Sequence, residues 1–167
     1  MARQIPSEKT IINGWAVFAH DQFLTQFETL LSEVNGLRER YPQQYQAKNA
    51  TKRLEAIVKL AFDVIPQDPT RDTYCQGGTL GDENKHWFRA KFYQQYRLFF
   101  RYHLESKVIV FGWVNDPETK WAYDSKTDAY RVFKKMIERG NPPNDWDDLL
   151  SAAQSESCRL EKIMDQL

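Results

Sequence analysis

The chain has 167 residues, enough for one domain with its own core, and its 23 basic and 23 acidic side chains leave no formal net charge. That balance argues against a protein that coats nucleic acid indiscriminately, and two distant cysteines, Cys75 and Cys158, indicate neither a disulfide framework nor a zinc site. The start lacks the apolar stretch of a secretion signal and no run approaches the roughly 20 apolar residues of a membrane span, so the expected setting is a reducing cytoplasm.

In chain order, residues 1–10 read as a flexible N-terminus and Ile11 to Phe18 as a strand interrupted by Asn13-Gly14. Asp21 is placed to cap a helix carrying Phe23, Phe27, Leu30, Leu31, Val34 and Leu37 at helical spacing, with Gly36 and Pro42 marking its end. A second stripe of Ala47, Ala50, Leu54, Ile57, Val58, Ala61 and Val64, closed by Pro66, completes a helical hairpin. Gln67 to Lys85 is a loop, and its glycines Gly77, Gly78 and Gly81 fit turns and not a phosphate-cradling motif.

Two strands follow in which apolar residues alternate with cations. Phe88, Ala90 and Phe92 alternate with Trp87, Arg89, Lys91 and Tyr93; Tyr96, Leu98, Phe100 and Tyr102 alternate with Arg97, Phe99, Arg101 and His103. Period two puts the cations of each strand on one face, and a turn at Gln94-Gln95 is expected to bring the two basic faces together. The same alternation also builds the wet side of any half-buried sheet. Lys107 to Val114 is continuously apolar around Gly112, the mark of a strand covered on both faces. Ser125, with Asp128 three residues on, can start a helix bearing Ala129, Val132, Phe133, Met136 and Ile137, and Gly140, Pro142 and Pro143 end it. Residues 147–167 form a weakly patterned acidic helical tail. The order gives an α+β fold with helices packed on one antiparallel sheet, and a main domain over residues 11–146.

Charge is locally uneven. From Trp87 to Lys135 ten basic residues face five acidic ones, whereas from Asn144 onward six acidic residues face two basic ones. A cationic, aromatic sheet face flanked by an acidic segment suits an anionic ligand, although an uneven solvated surface has the same composition. Trp87, Tyr93 and Phe99 are candidates for stacking unpaired bases, Trp87 foremost, and Lys48, Lys52 and Arg53 on the second helix could extend a phosphate track or simply be solvated. His103 shares the basic face and has the pKa range of an acid–base group; His20 is explained equally by capping or packing, His86 beside Trp87 could touch RNA, and neither is a catalytic candidate. The histidines have no local ligand spacing, so neither metal nor cofactor is expected.

Several blocks of the chain together resemble the YhaV-type toxins of the RelE superfamily. They are Asn13-Gly14-Trp15-Ala16 with His20, Ala50-Thr51-Lys52, Trp87-x-Arg89-x-Lys91-Phe92, Tyr96-Arg97-Leu98-Phe99-Phe100-Arg101-Tyr102, and Lys107-Val108-Ile109. The series continues through Gly112-Trp113-x-Asn115-Asp116, Lys126-Thr127-Asp128-Ala129-Tyr130-x-Val132-Phe133 and Arg139-Gly140-x-Pro142-Pro143. The resemblance implies a RelE-like fold and the toxin of a toxin–antitoxin pair, cleaving mRNA, free or on the ribosome, without a metal. It implies a PrlF-like antitoxin, with DNA autoregulation only through the complex. It also implies that Arg89 and Lys91 act near the scissile phosphate, that Arg97 stabilises it, and that Tyr130 sits near the RNA; the basic strand faces add Trp87, Arg101 and His103 as candidate RNA-binding residues, and Lys126 is a further candidate. One departure is that Asn115-Asp116-Pro117-Glu118-Thr119-Lys120 stands where RelE-like toxins carry a basic run with a catalytic arginine.

Arginine stays protonated and clasps phosphate, so Arg89 and Arg97 suit charge stabilisation, while Lys91 between them is the candidate proton acceptor for attack by a 2′-hydroxyl, giving a 2′,3′-cyclic phosphate. The alternatives are a non-catalytic toxin of the same fold that docks on a protein target such as a topoisomerase, and an inactive binding remnant.

Overall fold

The computed structural model describes residues 10–120 and 128–167. The expected flexible N-terminus, apart from Thr10, and the candidates Ser125 and Lys126 lie outside the described residues. Five strands form one sheet: β1 (Thr10–Ile12), β2 (Trp15–Ala19), β3 (Phe88–Phe92), β4 (Tyr96–His103) and β5 (Val108–Val114), in the spatial order β1-β2-β5-β4-β3.

The N-terminal strand is a hairpin and not one interrupted strand. Asn13 and Gly14 both have positive φ, 51° and 83°, which a two-residue turn between antiparallel strands requires. The sheet is antiparallel except where β2 pairs parallel with β5, because the helical hairpin carries the chain across the sheet before β3 to β5 return. β5 is central and covered on both sides, as its unbroken apolar run requires.

α1 (Asp21–Arg40) and α2 (Asn49–Lys59) cover one face. The α1 cap is His20 and not Asp21: its imidazole accepts the Gln22 N–H at 3.1 Å, and Asp21 falls in the first turn. α2 continues through a π-helical turn (Leu60–Val64) into the short α3 (Ile65–Gln67), whose Pro66 occupies a position needing no amide donor. Phe23, Leu24, Phe27, Ile57 and Ile65 from these helices pack with Leu98, Phe100, Ile109 and Phe111 from the sheet, all at most 1% exposed.

On the other face lie α4 (Ala129–Glu138) and α5 (Trp146–Gln154), whose Phe133, Leu149 and Ala153 meet Phe18, Phe99, Val110 and Trp113. Asp128 itself caps α4, accepting from the amides of Tyr130 and Arg131, so it is not the third residue of a capping box. The acidic C-terminal residues are part of the body. α6 (Ser157–Met164) buries Leu160 and Ile163 beside α1, and Arg159 binds Asp21, Glu28 and Thr25 of α1 as well as Glu156. Of the acidic residues there, Asp145 caps α5 by accepting from the Asp148 amide, and Glu156 pairs with Arg159. No helix among the described residues is long and apolar enough to cross a membrane.

Candidate active site

The length of the β3–β4 turn decides which side chains share a face. Phe92 pairs with Tyr96, leaving three residues, Tyr93 to Gln95, in the loop, with φ of 44° at Tyr93 and 61° at Gln94. Lys91 is thereby opposite Arg97 and Arg89 opposite Phe99, so the basic faces coincide. A two-residue turn at Gln94-Gln95 would have set Lys91 against Leu98, one register away, and separated them.

The basic face is not an open surface. α4 lies over it, and Tyr130 from its first turn reaches between the arginines. Arg89 Nε and Arg97 Nε each donate to the Tyr130 hydroxyl at 3.0 Å, and Arg89 Nη1 donates to the Thr73 carbonyl at 2.7 Å. Arg97 Nη1 donates to the carbonyls of Gln94 and Tyr96 at 2.7 and 2.9 Å, while the Arg97 guanidinium lies 5.7 Å from the Tyr130 ring centroid. The arginines are 9% and 4% exposed, which corrects the expectation of free strand cations. Lys91, by contrast, is exposed.

The result is two anchored guanidinia on one hydroxyl, with the exposed Lys91 on the same strand face. Among the described residues Arg89 is held by a hydroxyl and a carbonyl, dipoles that orient its charge without cancelling it. Asn115 fixes the geometry from behind: its Oδ1 accepts the Arg97 amide at 2.7 Å and its Nδ2 donates to the carbonyls of Gln95 and Thr119 at 3.0 and 2.9 Å. Where RelE-like toxins were expected to have a basic run, this chain has a buried amide joining the turn to the end of β5. Asp116 then caps the short helix over Pro117–Thr119.

The remaining candidates form a second group farther along β4. Trp87 is 0% exposed, packed edge-on against Phe133 at 4.9 Å, so its ring offers no surface to a base. Phe99 is equally buried, stacked on Phe133 at 4.3 Å. Both readings as stacking platforms are therefore corrected: the aromatic residues on this face are the core beneath α4. Arg101 lies between the Trp87 and Trp146 rings, 5.6 and 5.2 Å from their centroids, and donates to the Asn144 carbonyl at 2.7 Å. Burial pushes its pKa down to about 10, against the opposing charge of Asp145. His103 is exposed, stacks on Trp146 at 6.0 Å, and shares a hydrogen bond with Ser106.

Asn144, which sequence reasoning passed over, is the hub of that group. Its Oδ1 receives Trp87 Nε1 at 2.9 Å and meets His86 Nε2 at 2.6 Å, and its Nδ2 donates to Asn84 Oδ1 at 3.1 Å. An asparagine two residues before a helix carries no pattern that marks it. Burial lowers the His86 pKa; its Asn144 bond opposes this and the nearby Arg101 adds to it. Among the described residues, no three His, Cys, Asp or Glu side chains gather where they could hold a metal ion.

Residues 17–154 match the model of a family described as a toxin with endonuclease activity, of a toxin–antitoxin system. The chain belongs to the YhaV toxin family. It is 45% identical over 140 residues to the ribonuclease toxin YhaV of Escherichia coli K12, covering 83% of this chain and 91% of that protein. The same identity and coverage hold for the toxin YhaV of Escherichia coli O6:H1 and of Escherichia coli O157:H7. No solved structure matches the chain. The YhaV family match spans β2 to the end of α5, so it includes every described side chain of both polar groups, and it favours endonuclease chemistry over docking on a topoisomerase.

Proposed function

We propose that this YhaV-family toxin cleaves mRNA without a metal, with Lys91, Arg89, Arg97 and Tyr130 as its cleavage site. The observation that carries the reading is the convergence of the two arginines on the Tyr130 hydroxyl, beside an exposed Lys91 on the same face. Cleavage by a neighbouring 2′-hydroxyl moves negative charge onto the phosphoryl oxygens, and preorganised cations in a water-poor setting stabilise that charge most where they need not reorganise. Arg89 and Arg97 provide the fixed positive field. Lys91, the exposed member, touches the RNA and takes or returns the proton.

Arg101 and His103 extend the RNA path along β4 toward Trp146, and Lys126 lies on the segment before α4. The antitoxin is of the PrlF type, any DNA autoregulation runs through the complex, and the site of action is cytoplasmic mRNA, free or on the ribosome. The test is purified toxin with end-labelled RNA in excess EDTA. Products ending in a 2′,3′-cyclic phosphate support the scheme, and a strict magnesium requirement overturns it.

A further inference from the structure

Tyr93 holds an unusual place in the β3–β4 turn. Its backbone is left-handed, with φ at 44°, a conformation that bulky side chains rarely adopt. Its ring is 57% exposed, although the hairpin's other Phe and Tyr rings are at least partly buried. The side chain is nevertheless fixed, because its hydroxyl donates to the Lys52 carbonyl on α2 at 3.3 Å and its ring meets Phe92 at 5.9 Å. The turn thus presents an aromatic face against the start of α2.

Between that ring and the helix is a groove of about 210 Å³ lined by Asn49, Lys52, Arg53, Tyr93, Tyr96 and Lys120. Half of these residues are cations and none is a carboxylate. Arg53 is already engaged, 5.6 Å from the Tyr96 ring centroid and 3.8 Å from Glu33, but Lys52 and Lys120 are exposed. A flat ring, two lysines and an amide are the chemistry that holds one nucleotide: the base stacks, the phosphate pairs and Asn49 bonds a base edge.

The groove lies on the α2 side of the sheet, and the β3–β4 turn links it to the cleavage site on the α4 side. Gln94, next to Tyr93, supplies a carbonyl that anchors Arg97 at 2.7 Å, and Lys91 is two positions before Tyr93 on β3. An RNA strand with one phosphate at Lys91 would reach the groove by passing around the turn at Tyr93. We infer that this groove is a nucleotide subsite flanking the scissile phosphate, with a base stacked on Tyr93 and a phosphate held by Lys52 and Lys120. The inference rests on the ribonuclease reading and adds the stacking surface that buried Trp87 and Phe99 cannot supply.

The experiment compares wild type with Tyr93→Gly, Tyr93→Phe, Lys52→Gln and, as a distant control on α6, Lys162→Gln. Glycine accepts the left-handed turn without strain, and Lys52→Gln leaves the turn untouched. Binding is read by anisotropy with a labelled, fully 2′-O-methylated single-stranded RNA, and cleavage with the unmodified strand. Tyr93→Gly should weaken binding roughly 5- to 150-fold, whereas Tyr93→Phe stays within about twofold. Lys52→Gln should lower the slope of log affinity against log salt by about 0.7. If wild type cleaves RNA but Tyr93→Gly and Lys52→Gln bind like Lys162→Gln, the subsite is wrong and the ribonuclease reading stands. If wild type neither binds nor cleaves RNA, both fall.

Discussion

Replacing Tyr130 by phenylalanine removes one oxygen and keeps everything else the ring does. The edge-on contact with Phe99 at 5.6 Å survives, as does the position of the ring 5.7 Å from the Arg97 guanidinium. What disappears is the acceptor for two charged donors, Arg89 Nε and Arg97 Nε, in side chains so buried that water replaces it poorly. Hydrogen bonds to charged groups contribute about 1.5–3 kcal/mol each, so losing the shared acceptor should cost about 3 kcal/mol of stability. In a chain of this size that lowers the melting temperature by about 6–12 °C. The assays are a thermal melt and, at a temperature where the variant is folded, the single-turnover cleavage rate. The released guanidinia lose their preorganisation, so the rate should fall at least about tenfold. A melting temperature within about 1 °C of wild type would show that the hydroxyl does not hold the arginines, and the account of the site would fail there.

Three further outcomes follow from the same structure. A methyl added at Gly112, the extra residue where β5 slips against β4, would lie 2.6 Å from a ring carbon of fully buried Trp87, so Gly112→Ala should destabilise by about 1–3 kcal/mol in a denaturant titration. Burial holds the pKa of His20 and His86 below the ordinary 6.5, against the pull of Asp21 and Glu156 on His20, so their stabilising contribution is full above pH 6.5 and is lost as pH falls through the lowered folded values. His20→Asn keeps a capping acceptor and should flatten part of that decline in melts taken from pH 7 down to pH 5, leaving the His86 share. In the third, Arg159→Gln removes the cation that α6 places among Asp21, Glu28 and Glu156, and should expose the backbone of α6 to faster hydrogen exchange while α4 is unaffected.

What the sequence made legible was mostly periodic. The stripe from Phe23 to Val34 identified α1, the apolar run from Val108 to Val114 identified the central strand, and alternation placed Arg89, Lys91 and Arg97 on strand faces. Exposure was not legible, because alternation reports which face a residue occupies and not what covers that face. Arg89 and Arg97 read as solvent-facing until α4 brought Tyr130 over them, and Trp87 read as a platform until Phe133 closed on it. The three-residue turn was equally hidden, since Tyr93 fits a strand by composition and only its positive φ makes it a turn residue. Asn115 and Asn144 act through hydrogen bonds across 18 to 60 positions, a separation at which one sequence carries no signal.

If the polar group around Lys91 performs the cleavage, Lys91→Gln should remove activity without touching the fold. Lys91 is the exposed member of the group, so its substitution should leave the melting temperature unchanged, unlike any change at Arg89 or Arg97. Single-turnover cleavage of a labelled RNA by the folded variant should fall by about 100-fold or more, the usual contribution of a positioned acid–base group. A wild-type rate in that folded protein would contradict the claim.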